Sequence, residues 1–327
     1  MSIRLTPPSE REFPAGRLQQ RKEQLVSHIH AERSPLRRRV QRRPRSFALA
    51  GAAAVAAAAI VAALVLPSGE PGGASPAAAA VLRHAARAAA RQPVTAPPAP
   101  GQFVYTKSES MFEDSAVTNQ QQTIDFYEHV TREAWIGPDG SGRIREVASS
   151  PRFVSAADKA AWVAAGKPAL TTGRNSDETF RAGGLGYLDL SKLPTDPARL
   201  RTLIENRTVE AGPPGDAETF TIIGDLLRET YAPPGVRAAL YTIASELSGV
   251  ELVGTTHDHL GRPGTAVAYV AQGLRHELIF DPRTSALLGE QTTVADPSQV
   301  RGLAAGAVVE WTSYLGSGVV DSTTATR

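Results

Sequence analysis

The sequence predicts an α+β protein, one curved antiparallel sheet with helices packed on one face, preceded by a single transmembrane helix. Three observations predict it. An uncharged apolar stretch at 47–66 separates two populations of opposite net charge. After Gly101 the apolar spacing changes from helical to alternating. The elements then run helix, strands, helices, strands, without the single-helix alternation that a doubly wound parallel sheet requires.

The first 46 residues hold 12 Lys/Arg against 4 Asp/Glu, a net of +8, and the remaining 281 hold 23 against 29, a net of −6. The overall +2 therefore describes neither part. Within this basic cytoplasmic tail, Leu18, Leu25, Val26 and Ile29 share one helical face, which predicts a short amphipathic helix over Gly16 to Ser34 in an otherwise largely disordered segment. It reads either as a docking helix for a cytoplasmic partner or as a solvated segment. His28 and His30 point to different faces of such a helix and make no metal pair.

Residues 47–66 contain eleven Ala, one Gly and eight larger apolar side chains, without a charge. At about 1.5 Å per residue a helix of this length covers the roughly 30 Å hydrocarbon core. Arg37, Arg38, Arg39, Arg42, Arg43 and Arg45 precede it, and no basic residue follows until Arg83. The positive-inside bias predicts a cytoplasmic N-terminus and an extracytoplasmic C-terminal part, with the arginines at lipid headgroups. No aromatic residue interleaves them, so nucleic acid is not the expected partner. A cleaved export signal is the competing reading, but its basic region would be far longer than usual.

Residues 67–76 form a flexible linker. The outer domain spans 77–317. It opens with an Ala-rich helix whose bulky anchors, Val81 and Leu82, require support from elsewhere. GQFVYTKSES and TIDFYEHVTREAWIG then alternate as strands, and Pro138 to Gly142 turns the chain into a third, Arg143 to Ser149. Ser155 caps a short helix that Gly166 closes, and Thr171 to Gly186 reads as a loop. Three amphipathic helices follow: one started by Thr195 or Asp196 and Pro197, one in GDAETFTIIGDLLRETY, and one after Pro233-Pro234 that stops at Gly249. Five strands complete the domain: GVELVGTTHDHL, TAVAYVAQG, RHELIFD, SALLGEQTTV and AVVEWTSYLG. Residues 318–327 are expected to form a disordered terminus.

A chain with no cysteine excludes disulfides, thiol catalysis, iron–sulfur clusters and a lipidated cysteine anchor. No nucleophile-elbow, P-loop, dinucleotide or H-E-x-x-H motif occurs, and Asp189, Asp196, Asp225 and Glu229 sit at caps or exposed helix positions, so no enzyme and no cofactor are expected. His257-Asp258-His259 reads as a polar strand end entering the Gly261-Arg262-Pro263-Gly264 turn, with Asp258 bonding turn amides. The alternative is a metal chelated by His257 and His259 with His276. Phe103, Tyr105, Phe126, Trp135, Tyr241 and Phe280 read as core, but in a half-barrel the same residues would line an apolar groove for a lipid or peptide.

GQFVYTKS, AWIGPDGSG, LPTDPARLRTLI, DLLRETYAPPGVRAALYTIASELSGVELVG, DHLGRPG and HELIFDPRTSALLGE together resemble uncharacterised single-pass membrane proteins of high-GC Gram-positive bacteria, often encoded beside an extracytoplasmic-function sigma factor. The layout is also distantly similar to the lipoprotein-carrier and sigma-regulator sensor half-barrel. The resemblance implies an accessory or sensory place in an envelope sigma-factor system, with a sigma or anti-sigma factor as the tail's partner. It departs from anti-sigma factors that use a zinc-binding His and Cys motif, because there is no Cys. The alternative function is a lipid or lipoprotein carrier at the outer leaflet without signalling.

Overall fold

In the computed structural model the described residues are 73–327, apart from 95, 119–121, 169, 171–174, 185–189, 207–214, 229–231 and 301–302. The apolar span, the arginine run and the amphipathic tail segment lie outside them. Among the described residues no helix is long and apolar enough to cross a membrane.

Helix α1, Pro76–Ala90, starts where Ser75 Oγ accepts from Ala78 N and Pro76 takes the first position. Ala78, Leu82, Ala85 and Ala89 recur at helical spacing and are wholly buried, so the small side chains bring α1 close to its support. Ser75 N also donates to Val250 O, tying the helix to the sheet. Helix α2, Ala156–Ala164, is capped by Ser155, whose Oγ accepts from Asp158 N. Asp196 Oδ1 accepts from Arg199 N at the start of α3, Pro197–Asn206. Helices α4, Asp216–Arg228, and α5, Pro234–Ala244, complete the set.

The strands are β1 Phe103–Val117, β2 Thr123–Ile136, β3 Gly142–Ala148, β4 Arg152–Phe153, β5 Ser176–Phe180, β6 Val250–His257, β7 Pro263–Ala271, β8 Leu274–Phe280, β9 Leu287–Val294 and β10 Val308–Val320. They form one antiparallel sheet in the order β5-β3-β2-β1-β10-β9-β8-β7-β6, with β4 beside β2. Two runs of neighbouring hairpins, β1 to β5 and β6 to β10, are joined only where β1 pairs with β10, Phe103 opposite Val320 and Met111 opposite Trp311. The large antiparallel sheet with five helices is thus the α+β class the alternating segments predict.

The main core lies between α1, α3, α4, α5 and the β6 to β8 part of the sheet. Leu82, Leu200, Phe220, Ile223, Leu240 and Ile243 meet Val250, Val267, Leu278 and Phe280 there. These strand residues oppose one another in register and so share one face, called here the helix-bearing face. Helix α2 stands apart, with Trp162 against Phe153 at 5.1 Å between ring centroids.

Two sequence expectations are corrected. The polar run expected as a loop contains β5, whose residues pair with β3 from Gly142 to Glu146. The terminus expected to be disordered from 318 is structured: β10 continues to Val320, Gln102 Nε2 donates to Asp321 at 2.8 Å, Arg143 Nη1 donates to Thr323 O, and Trp135 Nε1 donates to Ala325 O at 2.6 Å. Gly316 and Gly318 lack side chains that announce a strand, and the space above Gly318 is taken by Arg327, whose Cδ would lie 2.5 Å from a Cβ there.

Candidate functional site

The six aromatic residues do not share one groove. Phe103, Tyr105 and Trp135 gather with Val320 and Ala325, on the face opposite the helices. Tyr105 and Trp135 are cross-strand partners with ring centroids 5.2 Å apart, and Arg143 lies over the Trp135 ring. Tyr105 Oη donates to Glu133 Oε1, and burial followed by that carboxylate pushes its phenol up to about 12. Tyr241 and Phe280 lie elsewhere, in the main core beneath the helices, 5.4 Å apart and without solvent contact. Tyr241 Oη donates to Ser285 O at 2.7 Å, so its polar end is satisfied inside. Phe126 is buried on β2 opposite Phe153 and belongs to neither cluster. Arg37, Arg38, Arg39, Arg42, Arg43 and Arg45 lie outside the described residues.

Between the two apolar regions the helix-bearing face is polar. Tyr314 Oη donates to Glu290 Oε1, Thr292 Oγ1 donates to Glu310, and Ser110 and Thr312 share a hydrogen bond at 2.9 Å. Arg228, in the last turn of α4, reaches Glu290 at 3.8 Å and also pairs with Asp225. A Cβ at Gly224 would meet Leu278 Cδ2 at 3.2 Å and Glu290 Oε2 at 3.6 Å, which is why α4 carries glycine where it crosses the sheet. This strip fixes the seat of α4 through charge-assisted bonds. Sequence reading missed it because Arg228, Glu290 and Tyr314 come from separate elements.

The His-Asp-His segment divides its roles. Asp258 Oδ1 accepts from Leu260 N and Arg262 N, and Oδ2 accepts from Arg262 Nε and Nη2, so Asp258 does bond the turn amides. Burial would push its carboxyl up, but Arg262 and the amides outweigh burial and hold it below the usual value. Arg262 Nη2 also donates to Leu288 O, folding this turn over β9. His276 does not join His257 and His259: its Nδ1 meets Thr292 Oγ1 on the helix-bearing face. Among the described residues no group of three His, Cys, Asp or Glu side chains is placed to hold a metal. His259 instead stacks on Trp311, ring centroids 4.5 Å apart and planes at 14°, and burial there draws its imidazole below the usual histidine value.

A third titratable cluster joins α2 to the sheet. Asp125 N donates to Asp158 Oδ1, and Glu113 lies near both carboxyls, with Tyr127 opposite it and Arg152 over the Tyr127 ring. Burial, then Asp125, then Asp158 push Glu113 up to about 7 from 4.5. A carboxyl with a raised folded value stabilises the fold fully only below its unfolded value, and that contribution is lost as pH rises from about 4.5 through 7. Glu113→Gln should therefore be more stable than the parent at pH 8 by on the order of 1–2 kcal/mol after solvent screening, and should show no such gain at pH 4. Thermal unfolding across that range measures it; an equal effect at both ends would refute the assignment.

No protein-family model matches the chain, and no characterised protein matches it in sequence. Among solved structures, the crystal structure of MucB aligns over 75% of this chain and 59% of that chain, at 13% identity and a TM-score of 0.26. The chain thus spans less than two thirds of MucB, and a likeness this slight fixes neither fold nor function.

Proposed function

We propose that the chain is a single-pass membrane protein, N-terminus in the cytoplasm, whose extracytoplasmic α+β domain binds a ligand or an envelope protein without catalysing a reaction, as an accessory or sensory subunit of an envelope sigma-factor system. The observation that carries the reading is the division at Phe47: a net of +8 before an uncharged span of 20 residues and −6 from its first residue onward. Two populations of opposite charge joined by one apolar segment suit a chain in two aqueous compartments. The engagement of Asp196 and Asp258 in caps and turns supports a non-catalytic role. A carrier with an open aromatic groove is less well supported, because Tyr241 and Phe280 are core residues rather than a groove wall.

The absence of cysteine makes the test clean. Val94→Cys, at a position 82% exposed, should react with a membrane-impermeant maleimide on intact cells, whereas Ser34→Cys should react only after permeabilisation. Labelling of both in intact cells, or of neither, would overturn the topology. Residues 1–46 used as bait should then enrich a sigma or anti-sigma factor, and deletion of Gly16 to Ser34 should alter envelope-stress transcription. Unchanged transcription with no regulator captured would end the signalling part of the proposal.

A further inference from the structure

On the face opposite the helices, three strands bring together soft and aromatic side chains that are far apart in sequence. Met111 on β1 lies directly opposite His129 on β2 and directly opposite Trp311 on β10. Opposed residues place their Cβ atoms about 4.5–5.5 Å apart, so the imidazole and the indole flank the thioether from both sides. Their rings meet at 5.7 Å in an edge-on arrangement, and Met111 beneath them is only 6% exposed. Met111 is the sole methionine besides Met1 in 327 residues, so the thioether here is not drawn from a general methionine-rich core.

His259 completes the group, carried over the sheet by the Asp258–Arg262 turn and stacked on Trp311. Its tautomer is set by a chain of hydrogen bonds. Gln291 Nε2 donates to Glu277 Oε2 at 2.8 Å, which turns Gln291 Oε1 toward His259 Nε2 at 3.1 Å. An oxygen at that position requires the proton on Nε2, and Nδ1 is left with a free lone pair. Histidines that ligate metals are commonly oriented by such a donation from the other ring nitrogen to a fixed acceptor. Glu277 is 5% exposed and anchors the chain from within the sheet.

We propose that Met111, His129 and His259 form a site for a soft monovalent metal ion, Cu(I) being the physiological candidate, with the Trp311 ring face beside it. A thioether and two neutral imidazoles match the ligand preference of a soft d10 ion. The indole quadrupole attracts a cation placed against its face. Carboxylates, which hard divalent ions require, are not part of the group.

Ag(I), a redox-inert probe of the same ligand preference, tests the proposal on the full chain in detergent. With methionine labelled at the methyl carbon only two signals exist, Met1 and Met111, and histidine ring labels report the imidazoles. One equivalent of Ag(I) should move the Met111 methyl together with the His129 and His259 signals and quench Trp311 fluorescence. Met111→Leu, close in volume, should weaken binding at least ~10-fold while the histidine signals of the metal-free protein stay in place. Movement of Met1, His28 or His30 with Met111 unmoved, or binding unchanged in both Met111→Leu and His129→Gln, would overturn it. Failure of the membrane-topology test would leave this result standing, since the site rests on the folded domain alone.

Discussion

Phe280→Ala should destabilise the protein by about 3–5 kcal/mol, the range for removing a phenyl ring from a closed core. Phe280 is wholly buried, packs against Tyr241 with ring planes tilted by 48°, and lies in register with Thr265 across β7. The void would be walled by Tyr241 and the sheet, both held in place: Tyr241 by its bond to Ser285 O, the strands by their ladders. The same substitution discriminates between roles. A ring on the wall of an open groove would cost well under 1 kcal/mol on truncation and would remove ligand uptake instead. Chemical denaturation of the two proteins in the same detergent, followed by tyrosine and tryptophan fluorescence, decides between them.

Asp258→Ala should cost about 2–4 kcal/mol. The side chain is almost fully buried and accepts four hydrogen bonds, two from turn amides and two from the Arg262 guanidinium. Truncation leaves a guanidinium that is two-thirds covered without its carboxylate, and strands two amides in a tight turn. The partial exposure of Arg262 keeps the loss below that of a wholly buried pair. Because this turn carries His259, the variant should also release the imidazole from Trp311, read as a change in tryptophan emission. Asp258→Asn should recover part of the stability, since an amide oxygen can still accept from Leu260 N and Arg262 N. Equal losses in both variants would mean that the charge, and not the turn geometry, supplies the whole effect.

Much of the fold was legible because local chemistry and tertiary structure agree. Ser155, Asp196 and Gly166 mark helix ends where capping and backbone freedom place them, whereas α5 ends at Ala244, one turn before the Gly249 that the sequence suggests as its stop. Strand β5 was not legible, because none of Ser176 to Phe180 is fully buried and an edge strand with both faces wet loses the alternating signal. The end of β10 was masked by Gly316 and Gly318, whose strand role depends on what lies opposite them.

The site was less legible than the fold for a geometric reason. Burial of Tyr105, Phe126, Tyr241 and Phe280 follows from their size and apolarity, but which of them meet depends on strand register and on which face each occupies. Phe280 and Ile279 are neighbours in sequence and lie on opposite sides of the sheet. Met111 and His129 meet across the β1–β2 pair, but Trp311 joins them only through the β1–β10 pairing, across some 200 residues, and no local pattern encodes that contact.

That pairing also sets the order in which the sheet can close. The earlier strands, β1 to β5, and the later strands, β6 to β10, each pair among themselves, yet the seam between them closes only when residues 308–320 are available. Until then both inner edges, β1 and β9, present unpaired amides and carbonyls to whatever surrounds the growing chain. A chain interrupted between β9 and β10 keeps these two edges open in addition to β5 and β6, a ready substrate for proteases or for pairing with its own copies. Strand β10 therefore bridges the two halves of the sheet, and the rate of folding should be limited by that long-range closure rather than by the helices or the hairpins.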